Sequence, residues 1–159
     1  MLYKILNKLI HWFQKERIKR NQKLFKSCGK NVSIDNNVII FPNEGLSIGD
    51  NSVINGYTFI FCGDNVSIGK NCMISANCIL TAVSHHNDSL TRISEEGFQK
   101  AIIMGDNVWI GAGAIILPGI NIGNNSIVGA GSVVTKSIPE NEIWAGNPAR
   151  FVKKIIITN

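Results

Sequence analysis

A strict six-residue repeat between residues 104 and 139 constrains the fold of this chain more than any other feature. Each six opens on an aliphatic residue or methionine, at Met104, Ile110, Ile116, Ile122, Val128 and Val134. The fifth places are mostly small or β-branched: Val108, Ala114, Ile120, Ser126, Ser132 and Ile138. Helices repeat every 3.6 residues and strands every two, so this period fits neither. It is typical of a parallel β-helix with three sixes per triangular coil, and it predicts that first and fifth places point inward.

Weaker copies of the repeat precede this segment. The six-residue repeat starts near Val32, is interrupted at residues 41–45 and resumes at Ile48. It then continues to Leu80, with two extra residues near Val66. Together the phases predict five or six coils, stacked at about 4.8 Å per layer into a prism on the order of 25 Å tall. Glycine fills four second places, which we attribute to a positive φ at the corners: Gly105, Gly111, Gly123 and Gly129.

One polar stretch has no six-residue pattern. Leu80 and Met104 are still in phase, yet residues 86–100 between them are polar and aperiodic. We therefore predict a loop, residues 86–100, that leaves the prism and returns to it. Long loops on a rigid scaffold commonly carry function. His85 and His86 lie at the root of this loop.

Positive charge is concentrated at the front of the chain. Residues 1–30 hold nine Lys or Arg and one acid, a local +8, so the other 129 residues carry −3 within a total of +5. This distribution argues against a nucleic-acid-binding protein. Apolar residues recur at three- and four-residue steps over residues 2–26, which predicts one amphipathic helix. We expect this basic cap, residues 1–30, to cover the open first coil of a β-helix spanning residues 31–145; a second interpretation also places it on an anionic membrane surface.

Cysteine usage predicts buried thiols rather than disulfides. Cys72 and Cys78 occupy fifth places, so we expect them to be small inward-facing residues stacked one strand apart. No secretory signal and no apolar run of about 18 residues is apparent. These features predict a cytoplasmic protein. Residues 146–159 are expected to form a tail packed on the prism.

Motifs of other enzyme classes are missing from the sequence. The chain has no phosphate-binding Gly-rich loop followed by Lys and Ser or Thr, no dinucleotide fingerprint and no nucleophile elbow. His85 is the main candidate for chemistry, because imidazole titrates near neutral pH and can act as a general base. No metal site is predicted.

Residues 104–150 resemble a known family. The segments GDNVWIGAGAIILPGINIGNNSIVGAGSVVTKSIP and AGNPAR are similar to the hexapeptide-repeat, left-handed β-helix acyltransferases, above all the sugar and polysaccharide O-acetyltransferases. The resemblance covers about residues 46–153. It implies a mainly β fold, a homotrimer with active sites between neighbouring prisms, and acetyl-CoA as co-substrate.

The resemblance also implies roles for individual residues. His85, five places after Leu80, matches the family's catalytic histidine, whereas His86 has no counterpart and is assigned to the acceptor side. The other acceptor-side candidates are Asn55, Trp109 and Asp64, the last adjoining the position of the family's acid at Gly63. The candidate acetyl-CoA-binding residues are Gly111, Ala112, Ala130, Gly131, Thr135, Lys136, Arg150 and Lys153.

The implied reaction is direct acetyl transfer to a sugar hydroxyl, with His85 as general base. The short basic front resembles acetyltransferases of capsule, exopolysaccharide or O-antigen assembly, so we expect a surface-polysaccharide acceptor and peripheral membrane contact. N-acetylation of an amino sugar and O-acetylation of a small galactoside- or maltose-type sugar remain open. A β-helix carbonic anhydrase is disfavoured because the repeat body holds only two histidines for a three-histidine zinc site. A non-enzymatic scaffold would leave His85, Trp109 and Lys136 without a purpose.

Overall fold

The chain forms a triangular parallel β-helix preceded by one long α-helix, as seen in a computed structural model that describes residues 2–63, 65–86 and 97–156. The helix α1 spans Leu2–Gln22. Strands are numbered β1 to β19 in chain order and, apart from one hairpin, stack into three sheets that form the faces of the prism. Five coils are complete and a sixth is begun, which confirms the predicted number.

The first face contains five strands: β1 (Ser27–Cys28), β4 (Leu46–Ile48), β7 (Val66–Ile68), β12 (Ile102–Met104) and β15 (Asn121–Ile122). The second face contains β2 (Ser33–Ile34), β5 (Val53–Ile54), β8 (Met73–Ile74), β13 (Trp109–Ile110), β16 (Ile127–Val128), β18 (Glu142–Ala145) and β19 (Arg150–Lys154). The third face contains β3 (Ile39–Phe41), β6 (Phe59–Phe61), β9 (Ile79–Thr81), β14 (Ile115–Ile116) and β17 (Val133–Val134). Only β19 is antiparallel to its neighbour on these faces.

The three corners of the triangle define three edges of the prism. The first edge joins the first face to the second, the second edge joins the second face to the third, and the third edge leads from the third face back to the first. All interruptions of the repeat fall on the third edge. The break near residue 42 contains a 3-10 turn at Asn43–Gly45, and the predicted loop leaves from the same edge.

The core is the inside of the prism, and it follows the predicted six-residue pattern. Every first-place and fifth-place residue of the segment from 104 to 139 is buried, with at most 5% of its surface exposed. Cys72 and Cys78 are buried as predicted, but they directly precede strands on adjacent faces, β8 and β9, and do not lie above one another. Each belongs to its own vertical column; Cys72 lies above Ser52, whose hydroxyl accepts a hydrogen bond from the Cys72 amide at 3.0 Å.

The second-place glycines are required for a different reason from the one predicted. Positive φ occurs at the fourth place of the repeat, for example at Asn107 (57°), Gly113 (70°) and Asn125 (57°). At the second place the backbone of the next coil is too close for a side chain. A Cβ on Gly111 would lie 2.5 Å from the amide nitrogen of Ala130. These glycines therefore allow consecutive coils to stack in close contact.

The fourth-place asparagines form a ladder along the first edge. The side-chain amide of Asn107 donates to Asn125 at 3.0 Å, and that of Asn125 donates to Asn141 at 2.9 Å. Asn31, Asn51 and Asn71 repeat the arrangement lower down, at 3.1 and 3.2 Å. Asparagine suits this position because it tolerates a positive φ and its amide can donate and accept at once.

The helix α1 contacts the prism through its C-terminal end. Ile18 is partly buried and lines a small cavity with Ile34, and Phe25, three residues beyond the helix, is 8% exposed and belongs to the core. The helix ends four residues earlier than the predicted residue 26, and β1 already pairs with β4 within the residues assigned to the cap. No helix in the described part of the chain is long and apolar enough to cross a bilayer.

Candidate active site

The predicted catalytic histidine lies on a β-hairpin that projects from the third edge. Strand β10 (Val83–His85) pairs antiparallel with β11 (Gly97–Gln99), and His85 is directly opposite Gly97. The imidazole of His85 is exposed, and a Cβ on Gly97 would lie 3.8 Å from its Nδ1 atom. The root of the predicted loop is therefore a paired ribbon. The tip of that loop, residues 87–96, lies outside the described residues.

The base of this hairpin is attached firmly to the prism. The Lys100 amide donates to the Ala82 carbonyl at 2.9 Å, and the Thr81 hydroxyl donates to the Val83 carbonyl at 2.7 Å. Gly63, in the coil below, faces the hairpin so closely that a Cβ there would lie 2.8 Å from Val83. Asp64, the acceptor-side candidate next to Gly63, lies outside the described residues.

A small aromatic and cationic cluster surrounds the second histidine. The rings of His86 and Phe98 are 5.2 Å apart, and the Lys100 ammonium lies 5.4 Å from the centre of the Phe98 ring. Phe98 therefore links His86 to Lys100. Neither Phe98 nor Lys100 was identified from the sequence, because both fall in the aperiodic stretch where no pattern predicts a neighbour.

Trp109 lies on the second face, near the second edge. Its indole Nε1 donates a hydrogen bond to the Ser75 hydroxyl at 3.1 Å, and the residue is 49% exposed. Met73 is directly below it in the sheet and is 45% exposed. Asn55 is partly buried where the chain turns from the second face to the third, one coil below Ser75. Trp109 and Asn55 are thus on one side of the prism, and Ser75 is a contact the sequence did not indicate.

Several of the candidate cofactor residues share the second edge. Ala112 and Gly131 are stacked by a 2.8 Å hydrogen bond from the Gly131 amide to the Ala112 carbonyl. Both are exposed, as is Ala130, and no atom lies within 4 Å of a Cβ built on Gly131. The upper part of this edge is therefore a wall of small residues, whereas Tyr57 in a lower coil is 70% exposed. Gly111 differs from the others: it is buried, and its position shows a packing role between coils.

The cationic candidates are all exposed, but they lie in different places. Arg150 pairs with Ala145 at the upper end of the second edge, and its guanidinium donates to the Ala149 carbonyl at 3.0 Å. Lys153 lies further along β19, opposite Ile143. Thr135 and Lys136 follow β17 and so lie on the third edge.

Within one chain the candidates therefore divide between two edges. His85, His86, Thr135 and Lys136 belong to the third edge, whereas Asn55, Trp109, Ala112, Ala130, Gly131 and Arg150 cluster at or near the second. The whole third face separates the two groups. A single prism therefore does not bring the predicted base together with the predicted cofactor wall.

The thiols of Cys62, Cys72 and Cys78 lie inside the prism, and that of Cys78 donates to the carbonyl oxygen of Gly111 at 3.3 Å. Burial raises the pKa of Cys62 to about 12, and it also raises the pKa values of Cys72 and Cys78. Desolvation disfavours the thiolate, so these groups are poor nucleophiles. Across residues 2–63, 65–86 and 97–156, no three His, Cys, Asp or Glu side chains are grouped to hold a metal ion.

Comparison with protein families matches the repeat in both halves of the prism. The family described as bacterial transferase hexapeptide (six repeats) matches residues 101–136, and the hexapeptide repeat of succinyl-transferase matches residues 45–82. A solved maltose O-acetyltransferase from Clostridium difficile is 36% identical, covers 90% of this chain and 76% of its own, and superposes with a TM-score of 0.82. This chain belongs to the hexapeptide-repeat acetyltransferases.

Two further members of this acetyltransferase family are also similar. The galactoside O-acetyltransferase of Escherichia coli is 36% identical over 84% of this chain, which spans 66% of that relative's length. A hexapeptide-repeat acetyltransferase from Vibrio cholerae, solved in complex with acetyl-CoA, is 27% identical with a TM-score of 0.79, over 91% of this chain and 79% of its own. The fold predicted from sequence, a left-handed β-helix of the sugar O-acetyltransferase type, is confirmed.

Proposed function

We propose that this acetyltransferase transfers the acetyl group of acetyl-CoA to a sugar hydroxyl, with His85 as the general base. The observation that carries the proposal is the position of His85, exposed on a hairpin fixed to the third edge, in a chain whose relatives are named galactoside and maltose O-acetyltransferases. An exposed imidazole on a rigid base can reach a substrate hydroxyl without rearrangement of the prism.

Acetyl-CoA is the co-substrate, as the complex of the Vibrio relative indicates. We assign its pantetheine arm to the small residues of the second edge, because Ala112, Ala130 and Gly131 present no side chain larger than a methyl group there. We assign the phosphates of the cofactor to Arg150 at the upper end of this edge, since a guanidinium pairs with phosphate oxygens in a bidentate manner.

The reaction follows from these two components. The imidazole of His85 accepts the proton of the sugar hydroxyl while that oxygen attacks the thioester carbonyl, forming a tetrahedral oxyanion. The oxyanion collapses by breaking the carbon–sulfur bond, and the imidazolium returns its proton to the departing CoA thiolate. The products are the acetyl ester and free CoA, and no acyl-enzyme is formed.

The division of the site between two edges favours an assembly in which neighbouring copies complete it. The third face has a cluster of outward apolar side chains, with Phe41 62% and Ile39 55% exposed and the rings of Phe59 and Phe61 5.0 Å apart. The corresponding outward positions of the first face include Ser27, Ser47 and Ser67. Large exposed apolar patches mark interfaces. We infer a homotrimer in which the third edge of one copy faces the second edge of the next.

The identity of the acceptor is a separate proposal from the type of reaction. The galactoside and maltose enzymes among the relatives support a sugar hydroxyl. A surface-polysaccharide unit as acceptor, and a location in the cytoplasm at the inner face of the membrane, stay predictions.

Release of free thiol from acetyl-CoA tests the proposal. The purified chain would be given a galactoside, maltose, a capsular or O-antigen oligosaccharide, and the 2-amino sugar glucosamine, with products identified by mass spectrometry. We expect an acetyl ester, which mild base removes. If the only product were a base-stable amide on glucosamine, the activity would be N-acetylation and not O-acetylation. If acetyl-CoA neither reacted nor raised the melting temperature, the proposed function would be overturned.

A further inference from the structure

We propose that α1 docks on an anionic lipid surface through one of its faces, which is apolar in the first three turns and cationic at the C-terminal end. This inference does not depend on the identity of the acceptor. It concerns the largest group of exposed apolar side chains outside the prism faces. The helix is 21 residues long, about 31 Å at 1.5 Å per residue.

The first three turns of α1 display an unpartnered apolar surface. Its large side chains are between 46% and 63% exposed: Ile5, Leu6, Leu9, Ile10, Trp12 and Phe13. At 100° per residue these six fall within about half of the helix circumference, and Lys4 and Lys8 lie on the other half. The rings of Trp12 and Phe13 touch edge to face, with centroids 4.9 Å apart.

The apolar face points away from the prism. Ile18 lines cavities with Val32 and Ile34 of the first coil, as do its helix neighbours Lys19, Asn21 and Gln22. Ile18 is rotated by roughly 160° from the centre of the apolar face. The same end of the helix is held by Phe25, which is buried in the core. In this arrangement the chain's own first coil cannot cover Leu6, Leu9 or Phe13.

The same face becomes cationic toward the prism. Phe13, Glu16, Lys19, Arg20 and Lys23 line one open groove of about 440 Å³. Glu16 is paired with Lys19 at 3.0 Å. Arg20 and Lys23, the latter one residue beyond the end of the helix, are exposed and line this groove together with Phe13. An inserted apolar segment followed directly by cations matches a bilayer, in which hydrocarbon adjoins a layer of anionic headgroups.

Charge favours lipid over a second copy as the partner of this face. Residues 2–22 carry six Lys or Arg and one Glu, a formal +5. Two such helices packed face to face would repel each other, whereas phosphatidylglycerol-type headgroups supply the opposite charge. Trp12 also suits this location, because its indole prefers the boundary between headgroups and hydrocarbon.

Vesicle binding by the full-length protein tests the proposal. Flotation with vesicles of phosphatidylcholine and phosphatidylglycerol would be compared with flotation on phosphatidylcholine alone. We expect at least tenfold tighter binding to the anionic vesicles, and a blue shift of Trp fluorescence that the variant Trp12→Phe lacks. The double variant L6D/L9D should lose at least tenfold in vesicle affinity. Absence of wild-type binding to anionic vesicles would overturn the proposal.

Two double variants with the same change of charge provide the matched control. R20E/K23E alters the docking face, whereas K4E/K8E alters the opposite side of α1, and both lower the net charge by four. We expect R20E/K23E to weaken vesicle binding at least fivefold more than K4E/K8E does. Equal losses of vesicle affinity in the two variants would mean that the helix is attracted to the vesicle by its total charge and does not dock through one face. Measurement of the molecular mass in solution tests whether a second copy of the chain binds this face instead of lipid. A second copy would be the partner if L6D/L9D changed the number of chains in the assembly and the wild-type protein did not bind vesicles.

Discussion

The indole of Trp109 is held by the hydroxyl of Ser75, with 3.1 Å between Nε1 and Oγ. Ser75 comes from the coil below, so the bond fixes a half-exposed ring across two layers of the prism. An exposed tryptophan held in one orientation can serve as a flat wall for a sugar or for the acyl carrier. We therefore expect the hydroxyl of Ser75 to act as a positioning group for the Trp109 ring.

Removal of the hydroxyl should loosen the ring without unfolding the prism. We expect Ser75→Ala to raise the acceptor KM about fivefold, which corresponds to loss of about 1 kcal/mol for one neutral hydrogen bond, while kcat changes less. Ser67→Ala on the outward side of the first face is the matched control and should leave both constants unchanged. Steady-state kinetics decide the matter, and an unaltered KM would show that Trp109 does not contact the acceptor.

The four cysteines should differ sharply in reactivity. Desolvation raises the pKa of all four thiols, but Cys28 is exposed whereas Cys62, Cys72 and Cys78 are buried, so a reagent can reach only Cys28 in the folded chain. An aromatic disulfide reagent at pH 8 should modify one thiol in the native protein and four after unfolding. Cys28→Ser should remove the native reaction. Rapid modification of two or more thiols in the folded protein would contradict the buried placement.

Burial of Cys62 also predicts a dependence of stability on pH. Its pKa is raised from 9.0 to about 12 in the folded chain by desolvation. As pH rises, the thiol of the unfolded chain therefore loses its proton at a lower pH than the thiol of the folded chain. The stability that the protonated Cys62 contributes below pH 9 is lost between pH 9 and about 12. Chemical unfolding at pH 8 and pH 10.5 measures the effect, and Cys62→Ala should reduce the difference between the two. An identical pH dependence in that variant would exclude Cys62 as the cause.

The inside of the prism was predictable because one local rule repeats. Ile116 is buried by its place in the six, and its stacked neighbour Val134, 18 residues away, obeys the same rule. The reason for Gly111 was not predictable in this way. Its constraint is the amide of Ala130 in the next coil, a contact that depends on the spacing between layers and not on the local backbone.

The site was predictable only in part, for a related reason. His85 was proposed because it lies at the root of the aperiodic stretch and matches the catalytic histidine of the family that the chain resembles, but its strand partner Gly97 lies beyond that stretch. Ser75 gives no sequence signal, because its contact depends on the rotamer of Trp109. The separation of candidates onto two edges needs the three-sided cross-section, which places residues such as His85 and Ala130 on different corners.

Two glycine variants separate close packing from backbone conformation. Gly111→Ala would place a methyl 2.5 Å from the Ala130 nitrogen inside the stack and should cost about 1–3 kcal/mol or more. Gly131→Ala meets no atom within 4 Å but has φ +65°, so about 1–2 kcal/mol is expected. Urea unfolding at one protein concentration compares them. If Gly131→Ala were the more damaging, close stacking at the second place would not be the dominant constraint.

Loss of the base should affect turnover and leave binding intact. We expect His85→Ala to lower kcat by about 10²–10⁴, the usual contribution of a general base, while the Kd for acetyl-CoA stays within twofold. His86→Ala is the adjacent control and should act mainly on the acceptor KM, since its ring is packed near Phe98. Wild-type turnover by His85→Ala would remove the residue from the mechanism.

The two-edge arrangement makes a further prediction that distinguishes a shared site from a site within one chain. His85→Ala removes the base on the third edge, and Ala130→Trp should block the cofactor wall on the second edge. Each variant alone is expected to be inactive. If the copies are unfolded, mixed in equal amounts and refolded, about a quarter of the grooves should combine an intact third edge with an intact second edge, because each groove draws its edges from two copies. Recovery of about a quarter of wild-type turnover would support the shared site, whereas a mixture as inactive as its components would place the whole site on one chain.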